Sequence, residues 1–101
     1  MLSWVLIGCG KPDTPLEISW RRSALDSAGL VLKVQNTSGH SLSCRLVAQN
    51  TTRNEARAFE FDLGPSASRE IGILEAGWSF KTGEGVSIAV EGFATKTLSV
   101  P

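Results

Sequence analysis

Apolar and polar residues alternate with a period of two along most of this chain, and no window of useful length carries a helical period. Leu16, Ile18 and Trp20 alternate with Glu17, Ser19 and Arg21, which predicts a first strand with one buried face. Residues Gly29 to Gln35 predict a second, with Leu30, Leu32 and Val34 on one side and Lys33 and Gln35 on the other. The cluster Asn36-Thr37-Ser38-Gly39-His40 turns the chain. Leu42, Cys44, Leu46 and Ala48 then mark a third strand, expected to pair with the second as a short hairpin. After a turn at Asn50-Thr51-Thr52-Arg53-Asn54, Phe59, Phe61 and Leu63 face inward in a fourth strand, with Glu60 and Asp62 outward. Gly64-Pro65-Ser66 ends it. Arg69 to Leu74 predicts a fifth strand, Val86, Ile88 and Val90 a sixth, and Phe93 to Val100 a seventh. The segment least like a strand is Asn54-Glu55-Ala56-Arg57-Ala58, which is expected to hold a helical turn at most.

Short strands separated by turn signals at this spacing indicate an all-β chain: an antiparallel immunoglobulin-like β-sandwich of about seven strands. The disulfide and buried tryptophan of antibody domains are absent, so the expectation concerns architecture alone.

Composition narrows the function classes. At 101 residues there is room for one domain, and 42% hydrophobic with 20% charged residues is the balance of a folded chain. Ten basic and ten acidic side chains cancel without a run of either sign, so the basic stripe of a nucleic-acid binder is missing. No run approaches the ~20 apolar residues of a spanning helix.

Leu6-Ile7-Gly8-Cys9, followed by Gly10 and Lys11, resembles the lipobox of bacterial lipoproteins. The resemblance implies that Cys9 is acylated and becomes the first residue of the mature protein. Residues 1–8 are then the remnant of a signal peptide, 9–15 a polar tether containing Lys11-Pro12-Asp13-Thr14-Pro15, and 16–101 the sandwich. It also implies a lipid-anchored place in the bacterial cell envelope. In a Gram-negative cell that place is the outer membrane or periplasmic face; Gly10 lacks the aspartate that in such lipoproteins commonly signals inner-membrane retention, and inner versus outer membrane stays open. The competing reading takes Trp4-Val5-Leu6-Ile7 as an added strand ending at the Gly8-Cys9-Gly10 turn, with Met1 the true start. Cys9 and Cys44 are able to pair as a disulfide, which acylation would forbid. Cys44 shares the register of Leu42 and Leu46, which predicts a small buried apolar residue.

The run Leu30-Val31-Leu32-Lys33-Val34-Gln35-Asn36-Thr37-Ser38 resembles the small immunoglobulin-like domains of bacterial envelope lipoproteins, including the FxLYD type. In such domains the asparagine caps the turn between two strands, and the domains serve as accessory or interaction modules.

Candidate chemistry is sparse. His40 is the only histidine and sits in a turn among Ser38, Ser41 and Ser43, which a hairpin does not assemble into a triad. Glu55, Glu60 and Asp62 read as a solvated strand face, no metal-ligand spacing is present, and no cofactor is implied. Gly83-Glu84-Gly85 reads as a turn. Asn36-Thr37-Ser38 and Asn50-Thr51-Thr52 match the N-glycosylation pattern and read more simply as turns. The unusual segment is Glu75 to Gly83, where Trp78 and Phe80 point the same way in extended chain. They either plug one end of the sandwich or form an aromatic platform for a sugar or a protein side chain. Trp20, beside Arg21 and Arg22, poses the same question. Trp78, Phe80 and Trp20 are therefore the candidate binding residues.

The sequence reading is thus a non-enzymatic envelope lipoprotein, an accessory binding or structural module held to the membrane through Cys9. The alternatives are a carbohydrate-binding module using those aromatics, or a cytoplasmic or phage-associated structural domain.

Overall fold

Leu16 pairs with Asn36 and Arg22 with Leu30, so β1 (Leu16–Arg22) and β2 (Leu30–Asn36) run antiparallel over their full lengths. The structure, a computed structural model, describes residues 12–26 and 29–101. β5 (Ser68–Ile71) adds to the other side of β2 and completes a three-stranded sheet of order β1-β2-β5. The second sheet is built from β3 (Leu42–Asn50), β4 (Glu55–Leu63), β6 (Gly85–Val90) and β7 (Lys96–Ser99), in the order β4-β3-β6-β7. Every pairing is antiparallel. The all-β sandwich is the architecture the alternation predicts. Its partition departs from the constant-type immunoglobulin plan, where the fourth strand joins the first, second and fifth. Here β4 stays with β3.

The core lies between the sheets and follows the alternation residue by residue. Leu32 and Val34 meet Leu42, Cys44, Leu46 and Ala48 of β3, Phe61 and Leu63 of β4, Ile71, and Val86, Ile88 and Val90 of β6. Each large side chain sealed in this way contributes about 1.5–3 kcal/mol.

Several elements differ from expectation. β2 and β3 are not a hairpin: they lie in different sheets, and the turn cluster carries the chain across the sandwich. Alternation reports which face is buried but not which neighbour is paired, so both topologies give the same pattern. The crossing is organised by Asn36, whose side chain is fully buried. Its Nδ2 donates to the carbonyls of His40 at 2.6 Å, Leu63 at 3.2 Å and Gly64 at 2.9 Å. Its Oδ1 accepts from the Ser38 amide and the Ser38 hydroxyl, both at 2.8 Å. One amide thus supplies loops leading to both sheets, on a crossover rather than on the hairpin turn expected there.

Residues 55–58 are strand rather than helical turn. They extend β4 in register with β3, from Glu55 opposite Asn50 to Ala58 opposite Val47. All four side chains are exposed, so no alternation marks them, and the ladder to β3 decides the conformation. Asn54 takes the left-handed position of the preceding turn, with φ of 52°. The fifth strand ends at Ile71 instead of Leu74, and the chain coils into a short helix, α1 (Ile73–Ala76). The Gly72 amide donates to the Glu75 carboxylate at 2.7 Å and closes its first turn. β7 is also shorter than expected, spanning Lys96–Ser99.

The sandwich has two chemically different ends. At one, the Ala94 amide donates to the Pro12 carbonyl at 2.9 Å, the Thr14 hydroxyl donates to the Ala94 carbonyl, and the Thr37 amide donates to the Pro15 carbonyl at 2.9 Å. Among the described residues these hydrogen bonds reach back to Pro12, inside the expected tether. This end, the tether pole, also carries the β2–β3, β4–β5 and β6–β7 loops. The far pole carries the β1–β2 loop, the β3–β4 turn and the β5–β6 crossover. Cys9, the lipobox and Trp4–Ile7 lie outside the described residues.

Candidate binding cleft at the far pole

The crossover from Ile71 to Gly85 is pinned at three places. Leu30 and Phe80 exchange backbone hydrogen bonds of 2.8 and 3.4 Å, stitching the crossover to β2. Gly77 ends α1 in the left-handed region at φ of 68°, its amide donating to the Ile73 carbonyl at 3.0 Å. A Cβ there would stand 2.6 Å from Arg57 Nη1, the end of a flexible side chain that can shift, so it is the left-handed conformation that calls for glycine. Arg57 Nη1 donates to the Ala76 carbonyl at 2.9 Å and ties the start of β4 to the end of the helix.

Glu84 is the third pin. Its carboxylate is 5% exposed and accepts from three directions: Trp78 Nε1 at 3.1 Å, the Lys81 amide at 2.9 Å and Asn50 Nδ2 at 2.6 Å. A buried carboxylate is tolerated only when so satisfied. The sequence reading placed Glu84 in a solvent turn between two glycines. Its partners Asn50 and Trp78 come from other parts of the pole, so no local pattern announces it.

The candidate aromatics separate. Phe80 is wholly buried and takes the plug role, with its ring 5.4 Å from that of Trp20 at an interplanar angle of 76°. Trp20 is half-buried against the core beside it. Trp78 alone of the three lines a cleft, its indole half-buried and its ring nitrogen fixed by Glu84.

That cleft, about 640 Å³, lies between the start of β4 and the crossover, and Arg53, Arg57, Ile73, Trp78, Lys81 and Glu84 are among its walls. Lys81 pairs with Asp26, and Arg53 pairs with Glu55 at 2.9 Å. Among the described residues no carboxylate comes within ion-pair distance of Arg57. Ser79, also in the wall, has its hydroxyl buried with no hydrogen-bond partner among the described residues. The exposed large hydrophobic residues of the described chain are Leu25 at 63%, Ile73 at 41% and Leu74 at 78% exposure, and Ile73 lines the cleft. All three belong to far-pole connections. The wall offers charge, hydrogen bonds and an indole, and includes neither histidine nor cysteine.

His40 is exposed at the opposite pole. Glu60 pairs outward with Arg45 at 3.0 Å and Asp62 is exposed, the solvated face their spacing suggests. Cys44 is a buried free thiol, as its register implies. Burial, and secondarily the negative charge of Asp62, pushes its pKa up.

No family model, no curated protein and no solved structure matches this chain.

Proposed function

We propose that this chain is a non-enzymatic binding module of the bacterial cell envelope, anchored by acyl chains on Cys9 and presenting its far pole to a partner. The observation that carries the reading is the placement of the two ends. Pro12, the first described residue, is hydrogen-bonded to Ala94, while the cleft and the exposed Leu25, Ile73 and Leu74 lie at the opposite pole. A domain tethered at Pro12 holds its cleft away from the lipid surface. Two acyl chains give stable anchoring, since each buried CH₂ contributes about 0.8 kcal/mol and one chain alone binds only marginally. Exposed apolar side chains gathered at one end of a small domain mark an interaction surface.

The test uses lipidated protein in vesicles whose acyl chains carry a bromine quencher. A fluorophore is attached at Gly39→Cys on the tether pole or at Leu74→Cys on the far pole. Both positions are exposed, whereas native Cys44 is buried. Stronger quenching at position 39 than at 74 is expected. Equal quenching, or the reverse order, would remove the reading.

A further inference from the structure

The free edge of β4 opens directly onto the cleft. Among the described residues β4 is the outermost strand of its sheet, and residues 55–58 are exposed. Farther along the same strand the Arg69 guanidinium, reaching from β5, lies 5.9 Å from the Phe59 ring centroid and 5.8 Å from that of Phe61. An uncovered edge offers a row of backbone donors and acceptors to another extended chain. The cleft wall includes Arg53 and Asn54 of the β3–β4 turn and Glu55, Ala56 and Arg57 of this edge, with Ile73 and Trp78 nearby.

Charge selects the occupant. Arg57 spends one hydrogen bond on the Ala76 carbonyl, and its guanidinium carries five N–H donors in all. Its neighbours Arg53 and Lys81 are each paired with an acid, and Arg57 is not. We propose that the β4 edge at Glu55–Phe59 takes an extended segment of a partner protein as an added strand. An aspartate or glutamate of that segment pairs with Arg57, and an apolar side chain enters the cleft against Trp78 and Ile73. The backbone ladder supplies affinity and the alternate side chains supply specificity. A second copy of this chain fits less well. In a two-fold pairing of β4 edges that keeps the faces aligned, the residues turned toward the cleft would be the copy's own Glu55, Arg57 and Phe59. Those are already engaged with Arg53, the Ala76 carbonyl and Arg69. The inference rests on the far pole being the binding end, but not on how the chain is anchored.

The probe is a displayed library of random twelve-residue peptides with blocked C-termini, selected on the full chain carrying Cys9→Ser so that acylation plays no part. Selected peptides are expected to alternate apolar and polar residues around an aspartate or glutamate. Binding should slow hydrogen exchange at those amides of residues 55–59 that are not in the ladder to β3. Arg57→Gln, which removes the charge, should weaken binding about tenfold, as should an amide in place of the peptide's acid. Together the two changes should cost no more than either alone, a coupling that a merely structural role for Arg57 would not produce. Any of four results would overturn the proposal: no enriched peptide, binding without β4 protection, additive effects, or a concentration-dependent dimer protecting the same amides. Failure here with an acylated Cys9 and an outward far pole would leave the anchored module standing without this partner.

Discussion

Trp78 donates its indole N–H to a Glu84 carboxylate that is itself buried, across 3.1 Å. The same carboxylate receives the Lys81 amide and the Asn50 side chain, so one acid joins the crossover to the β3–β4 turn and orients the aromatic wall of the cleft. Glu84→Ala leaves three donors without their acceptor and should cost about 2–4 kcal/mol in urea unfolding. Glu84→Gln retains one acceptor oxygen but sets an NH₂ against donors, so it should fall between the two.

Asn36 carries the other pole. Asn36→Ala strips three carbonyls of their donor and should destabilise by about 2–4 kcal/mol. Asn36→Asp should be worse at neutral pH, because a carboxylate would face those carbonyl oxygens. The deficit should narrow in acid, where the new acid regains one donor. Unfolding curves for both variants at two pH values decide this.

These two residues show where sequence reading stops. Leu32, Leu46 and Ile88 could be placed in the core from alternation alone, because burial of one strand face is a local, periodic property. Which sheet β3 joins is not local: it depends on a buried amide serving carbonyls far along the chain. Asn36 was visible as a cap, yet its crossover role was not. Residues 55–58 were hidden for the opposite reason, since an edge exposed on both faces has no pattern to read. Of the cleft, Trp78 was legible as an aromatic in a glycine-rich connection. Glu84 and Arg57 were not, because their partners meet them only after folding.

Gly77→Ala should destabilise by about 1–3 kcal/mol, since its left-handed φ opposes a side chain. Gly39→Ala is the matched control: nothing lies within 4 Å of its added Cβ, and the change should stay within about 0.5 kcal/mol. Thermal melts of the two variants side by side read the difference.

Cys44 should resist thiol reagents in the native protein and react freely on unfolding. The thiolate is the nucleophile, and burial both blocks access and raises the pKa. The linkage has a sign. A folded pKa above the unfolded one contributes stability that is complete below the ordinary thiol value and is lost as pH rises through the folded value. Chemical denaturation from neutral into alkaline pH should show this loss, and Cys44→Ala should reduce it.

The anchored module stands or falls on Cys9. The decisive measurement is the intact mass and detergent partitioning of the chain made in a bacterium together with its natural upstream coding sequence. The expected result is a product that begins at acylated Cys9 and enters the detergent phase, with both properties lost in Cys9→Ser. An unmodified chain that retains Met1 and stays in the aqueous phase would contradict the account.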